Sequence, residues 1–156
     1  MYIIKQMSTE IGKEISTWKY EGEYAIYNLE SYDVLKERSS GITVEKRWKN
    51  YYCFFDEYSD ELFAYLNIMQ KPSGEVFIGI GVKPKYCGKG MGKEFLKYGV
   101  NKAKECYPNS KITLEVRSWN IRAIKCYQSV GFKITESVMK EDHSGDMTEF
   151  VLMEYD

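Results

Sequence analysis

The chain has 156 residues, with 22 basic and 23 acidic side chains and a formal charge of −1, so one domain with a real core fits the length and a nucleic-acid binder driven by bulk charge does not. Cys53, Cys87, Cys106 and Cys126 show no CxxC spacing and His143 is the only histidine, which argues against a zinc or other metal site. No basic-apolar leader opens the sequence and no apolar run approaches the roughly 18 residues of a membrane span, so it reads as a soluble, reduced, cytoplasmic protein.

In chain order, "MYIIK" reads as a short strand, and "STEIGKEISTW" as a short helix with Ser8 and Thr9 as caps before Ile11, Ile15 and Trp18. The aromatic, acidic stretch 18–40 lacks periodicity and is expected to be loop, with helical turns around Asp33 to Arg38. "YYCFFDE" and "ELFAYLNIMQ" predict two strands joined at Tyr58-Ser59-Asp60, and "EVFIGIGV" a third after the Pro72-Ser73-Gly74 turn, together an antiparallel meander. From Lys89 to Tyr107 the residues Met91, Phe95, Leu96, Gly99, Val100 and Ala103 recur at helical spacing until Pro108-Asn109. "KITLEVRSW" is a strand, "NIRAIKCYQSVG" a helix stopped by Gly131, and "FKITESVMKED" and "MTEFVLMEY" two strands across a turn at Gly145. The predicted order is β-α-β-β-β-α-β-α-β-β.

One stretch, "VKPKYCGKGMGKEF", places Gly88, Gly90 and Gly92 between a strand and a helix start. Closely spaced glycines there expose backbone N–H groups where the helix dipole is positive, which suits a phosphate. The positive excess lies in the same half: residues 1–80 hold 9 basic and 13 acidic side chains, leaving 13 and 10 for the rest. Lys83, Lys85, Lys89, Lys93 and Lys97 surround the glycines. A glycine-rich turn with a solvated lysine face explains this segment equally well. It is neither a Walker loop nor a dinucleotide fingerprint.

A second segment separates these readings. "LEVRSWNIRAIKCYQSVGF", with Asn120, Ala123, Tyr127, Gly131 and Phe132 in an N-x-x-A-x-x-x-Y-x-x-x-G-F run, together with "VKPKYCGKGMG", resembles the GCN5-related N-acetyltransferase (GNAT) family, whose Q/R-x-x-G-x-G/A loop holds acetyl-CoA pyrophosphate. The resemblance covers roughly residues 50–156. It implies a mixed α/β fold with a mostly antiparallel sheet of about seven strands, a splayed parallel pair and flanking helices. One domain, 1–156, would have an acceptor-side half over 1–60 and an acetyl-CoA half over 61–156. Where the family carries Arg or Gln at the head of the loop, this chain has Cys87. That change should weaken phosphate or loop-anchoring contacts without abolishing them.

Carried over by position, the resemblance assigns the backbone of Ile80, Gly81 and Val82 to the pantetheine arm and acetyl carbonyl. It assigns Gly88, Lys89, Gly90, Met91, Gly92 and Lys93 to the pyrophosphate. Asn120 would contact the cofactor, although it equally fits an ordinary helix cap. Tyr127 matches the family's general acid, its alternative being a core aromatic. For the base, Val76 stands where some relatives carry glutamate and Glu75 faces the other way. Glu115 matches the glutamate proposed as base in ribosomal-protein N-terminal acetyltransferases; it equally suits a structural carboxylate paired with Arg117 or a lysine, and a water-mediated route stays open.

The acceptor side is expected among Trp18, Tyr20, Tyr24 and Tyr27, where rings interleave with carboxylates in a way that suits a cationic or primary-amine acceptor. Acetyl-CoA-dependent N-acetylation of a small-molecule or peptide amine is the leading function, with acetyl-CoA and the amine as partners and no metal, nucleic acid or membrane. A homodimer fits the resemblance. A non-catalytic acyl-CoA-binding sensor and a phosphate-binding module of another fold are the competitors.

Overall fold

The computed structural model describes residues 2–155 and contains seven strands and four α-helices among them. In chain order these are β1 (Tyr2–Lys5), α1 (Thr9–Ser16), α2 (Tyr32–Glu37), β2 (Tyr51–Asp56), β3 (Leu62–Gln70), β4 (Val76–Val82), α3 (Met91–Cys106), β5 (Ile112–Arg117), α4 (Ile121–Val130), β6 (Phe132–Glu141) and β7 (Met147–Tyr155). The strands are hydrogen-bonded in the order β1-β2-β3-β4-β5-β7-β6. β1 with β2, β5 with β7 and β6 with β7 run antiparallel, and β4 with β5 runs parallel. This is the mixed α/β architecture expected from the sequence.

The chain forms two compact units: one runs to Tyr65 and takes in Gly81–Cys87, and the other holds Leu66–Ile80 and the chain from Gly88 onward. In the first unit, Ser8 caps α1 by accepting from the Ile11 N–H, as its position before the apolar pattern predicts. The helix buries Ile11 and Ile15 in a core with Met7, Trp18, Leu35, Ile42, Tyr51, Cys53, Phe55 and Leu62. The helical turns expected around Asp33 to Arg38 are present as α2, which Ser31 caps by accepting from the Val34 N–H and which buries Tyr32 and Leu35. The rest of the stretch is more ordered than its aperiodic sequence suggests, with a 3-10 turn over Gly22–Tyr27.

In the second unit α3 buries Phe95, Leu96, Gly99, Val100 and Ala103. An added Cβ on Gly99 would stand 3.0 Å from a Leu66 methyl, so helix and strand pack closely there and a larger residue would have to displace that methyl. Ile112, Leu114 and Val116 of β5 are buried, and Thr113 and Glu115 are half-buried, so strand alternation holds. Arg117 departs from it. Its guanidinium is buried and lies 3.0 Å from Asp142 Oδ2, with its centre 5.2 Å from the Phe150 ring. Asp142 also accepts from Thr148 Oγ1 at 2.8 Å and from the Ser144 N–H at 2.9 Å, closing the turn between β6 and β7. The Ser144, Thr148 and Arg117 donors hold the Asp142 carboxyl well below the usual carboxylate range.

Among the described residues no helix is long and apolar enough to cross a membrane. Asp142→Ala removes a carboxylate that faces the Arg117 guanidinium and accepts from Thr148 and the Ser144 N–H, so it should lower Tm, as measured by thermal unfolding at neutral pH, and the loss should be smaller at a pH low enough to protonate the carboxyl.

Candidate functional site

In the second unit, β4 and β5 are registered at Val76 with Ile112 and at Phe77 with Thr113, and no register pair joins them beyond that among the described residues. Ile78, Gly79 and Ile80 therefore lead away from β5 with a strand edge that β5 does not pair. This is the splayed parallel pair implied by the sequence. The chain then reaches Gly88 and Gly90, with φ of 75° and 80°, where glycine is favoured because a side chain would strain the left-handed backbone. An added Cβ at either would meet nothing within 4 Å, so steric crowding is not the reason for these glycines.

Gly90 is the N-cap of α3 and gives it no side-chain hydrogen bond. Ser8, Ser31 and Asn120 by contrast each cap their helices through a side-chain oxygen. The first amides of α3 thus emerge beside exposed Gly88, Lys89, Gly90 and Lys93, with Met91 and Gly92 half-buried. Uncapped N–H groups at the positive end of a 16-residue helix, with space left by two glycines, fit a phosphate cradle.

Asn120 is buried and accepts from the Ala123 N–H at 3.1 Å, so the helix-cap reading of this residue holds. Tyr127 lies on the same helical face two turns on, with buried Ile124 between them, and is half-buried. Glu115 Oε1 lies 2.5 Å from Lys140 Nζ, the lysine partner allowed for in the sequence reading; Arg117 is taken by Asp142 instead. Lys140 also stands 4.8 Å from the Phe150 ring centre. Val76 is fully buried.

In the first unit the end of β4 is held by side chains. The Val82 carbonyl accepts from the Tyr20 hydroxyl at 2.8 Å and from the Cys87 thiol at 3.5 Å, and the Lys83 N–H donates to the Phe63 carbonyl at 2.8 Å. Cys87 is half-buried and turns its sulfur toward backbone carbonyls, a local tie where the family has a long polar side chain. Gly81 has its own steric requirement: a Cβ there would fall 2.4 Å from the Tyr65 ring.

Lys83 and Lys85, counted among the lysines around the glycines, are engaged by carboxylates. Lys85 Nζ lies 2.6 Å from Glu61 Oε1, and Lys83 Nζ lies 3.4 Å from Glu61 and 3.7 Å from Glu14. The Tyr86 hydroxyl donates to the other Glu61 oxygen. Lys85, then Tyr86, then Lys83 hold the Glu61 carboxyl down at about 2.

Ile15, Trp18, Tyr20, Tyr27, Leu29 and Tyr65 surround a cavity of about 20 Å³. Three of the four acceptor-side aromatics are thus brought together, and Tyr24 is not among the lining residues. Tyr65 was not anticipated. Its only sequence signal is alternation along "ELFAYLNIMQ", which puts it opposite the buried Ala64 and Leu66. Burial raises its hydroxyl above the usual tyrosine range.

Because Glu61 titrates lower in the folded protein than its ordinary value of 4.5, its stabilising effect is complete above that pH and disappears as the pH falls toward 2. Glu61→Gln should therefore lower Tm by a constant amount from pH 8 to about 5, and the gap to wild type should close below that. A gap that persists unchanged at pH 3 in thermal melts would mean that the ionisation of Glu61 is not what stabilises the fold.

The sequence model described as the acetyltransferase (GNAT) family matches residues 13–132. No curated protein sequence matches the chain. Among solved structures, a spermidine N-acetyltransferase chimera from Vibrio cholerae and hSSAT superposes with a TM-score of 0.77 at 17% identity, covering 99% of this chain and 94% of that one. The ribosomal-protein-S18-alanine N-acetyltransferase from Escherichia coli gives 0.66 at 18% identity, with 99% and 93% covered. A GNAT-family acetyltransferase from Bacillus anthracis gives 0.76 at 12% identity, with 99% and 97% covered. At these identities the structures share the fold, and the sequence match over most of the chain adds the family: the protein belongs to the GNAT acetyltransferases.

Proposed function

We propose that the protein is an acetyl-CoA-dependent N-acetyltransferase that moves the acetyl group to a primary amine of a small molecule or peptide by direct attack. The observation that carries this reading is the bare N-terminus of α3 behind the left-handed Gly88 and Gly90, continuous in the chain with the unpaired edge of β4. The amides of Gly88, Lys89, Gly90, Met91, Gly92 and Lys93 would bind pyrophosphate, with the Lys89 and Lys93 ammonium groups adding charge. The backbone of Ile80, Gly81 and Val82 would hold the pantetheine arm as an added strand does, and Asn120 would contact it while capping α4. Acetyl-CoA supplies the activated thioester.

The amine must be neutral to attack, and the departing sulfur needs a proton. Tyr127, half-buried on the face of α4 that it shares with Asn120, would supply that proton from its hydroxyl. Glu115 would accept the amine proton directly or through water. Its ion pair with Lys140 competes for that role, and this pair favours the second reading, an acyl-CoA-binding sensor without turnover. Both the spermidine and the ribosomal-protein enzymes named above act on amines, which supports an amine acceptor and leaves its size open.

Gly90→Ala places a Cβ in open space but in a left-handed backbone, at a cost near 1 kcal/mol, and tilts the amides that would meet phosphate. The CoA dissociation constant should rise at least tenfold, about 1.4 kcal/mol, while the fold survives, as read by calorimetry and circular dichroism. Unchanged affinity would remove the phosphate assignment.

Tyr127→Phe should leave CoA affinity intact and lower kcat by roughly 10². Glu115→Gln should flatten the acid limb of the kcat/KM profile and recover part of the rate at high pH if the carboxylate is the base. A wild-type profile with a lower Tm would make it structural. CoA binding without acetylation of any amine in a broad panel would select the sensor.

A further inference from the structure

Among the described residues β6 pairs with β7 on one side only, and it closes the strand order at that edge of the sheet. It is ten residues long, and apart from buried Phe132 and half-buried Val138 every one of them is exposed. Apolar side chains are included, Ile134 at 46% and Met139 at 59% exposure. The strand at the opposite edge, β1, has four residues. A long edge strand turns a row of N–H and C=O groups outward and is a template for another strand.

Two devices that keep edges apart stand at the start of β6: Lys133, and a bulge where the register to β7 shifts between Ile134 and Glu136. From Glu136 to Glu141 the pairing with β7 is regular. In that segment Glu136 stands two residues before Val138, and Lys140 two residues after it. A second copy set beside β6 by a two-fold axis normal to the sheet runs antiparallel and keeps its faces, so the strand pairs about one of its own residues. About Val138, Glu136 of each copy stands opposite Lys140 of the other, and Ser137 opposite Met139. About Met139, Glu136 would face Asp142, and about Glu136 or Lys140 a charge would face its own kind, which is unfavourable. About Ser137, the bulge lies inside the pairing and interrupts it.

The side chains fit the Val138 register. Glu136 is exposed and forms no ion pair among the described residues. Lys140 serves Glu115 at 2.5 Å, and its ammonium has three donors, so it can also serve a carboxylate on its outer side. Val138 is registered with Phe150 of β7, so the axis brings an apolar Val138–Phe150 row from each copy side by side, with a Glu–Lys pair at either end.

We infer that the protein forms a two-fold homodimer in which β6 pairs antiparallel with β6 of a second copy about Val138, its register fixed by two Glu136–Lys140 pairs. This inference does not rest on the acetyltransfer reading, and its test uses neither CoA nor an amine.

Sedimentation equilibrium of the full chain from about 1 to about 100 μM should give a mass rising to twice that of the chain. Glu136→Lys sets like charges opposite one another at both ends of the pairing, and Lys140→Glu does the same with the opposite sign. Each alone should be monomeric where wild type is dimeric, with an unchanged circular dichroism spectrum. Mixed in equal amounts the two variants should associate, because each supplies the charge that the other lacks at both ends. A wild-type chain that stays monomeric overturns the inference, as does a dimer that persists in the folded single variants or a mixture of folded variants that does not associate. A measurement that needs no variant is amide exchange of wild type, which should slow between Glu136 and Lys140 as the concentration rises through the dimerisation midpoint. Dimerisation that leaves exchange in this segment unchanged places the interface elsewhere and overturns the inference.

Discussion

The parting of β4 from β5 after Phe77 and Thr113 is the constraint on which the rest depends. A parallel ladder that continued would pair the backbone of Ile78, Gly79 and Ile80, and half-buried amides and carbonyls left without such pairing need another partner. The fold meets part of this need with its own side chains. At the end of β4 the Tyr20 hydroxyl and the Cys87 thiol converge on the Val82 carbonyl. What they do not cover is an extended edge able to take a ligand chain by main-chain hydrogen bonds, and the next element is a helix whose first amides have no side-chain cap. Two kinds of unpaired backbone, a strand edge and a helix start, thus follow one another within fifteen residues of chain from Ile78 to Gly92. That succession suits a ligand with an amide-bearing arm and a phosphate.

The architecture was legible because each major element carries its own local signal. Ser8 before Ile11 and Ile15, the Phe95-Leu96-Gly99-Val100-Ala103 stripe and the turns at Ser59-Asp60 and Gly145 each name an element from chemistry within a few residues. The glycines were legible for the same reason, since a positive φ at Gly88 and Gly90 is a one-residue property. In the stretch 18–40 only the helical turns around Asp33 to Arg38 were legible, because the rest of its order comes from contacts that leave no periodic pattern. Asn28 accepts from the Tyr20 N–H at 2.6 Å, and Tyr32 packs its ring edge where a side chain on Gly12 would stand.

Site residues divide along the same line. Asn120 as a cap and the shared face of Asn120 and Tyr127 follow from helical spacing. The partner of Glu115 does not. Lys140 lies on β6, two strands away from β5, and its reach depends on a register shift between Ile134 and Glu136 that no alternation pattern displays. Arg117 reads as an outward partner for Glu115 until the β6-β7 turn brings Asp142 to it. Tyr65 reads as one more aromatic in an alternating strand until Gly81 is found to lack a side chain where the Tyr65 ring lies.

Charge shows how a sequence count can mislead about a surface. Five lysines between Lys83 and Lys97 suggest one continuous field for an anionic ligand, yet a lysine contributes at long range only to the extent that its charge is not already balanced nearby. Lys83 and Lys85 are balanced by Glu61, with Glu14 also near Lys83, and these pairs fix the segment after β4. Lys89 and Lys93, exposed at the start of α3, remain to add to the helix dipole.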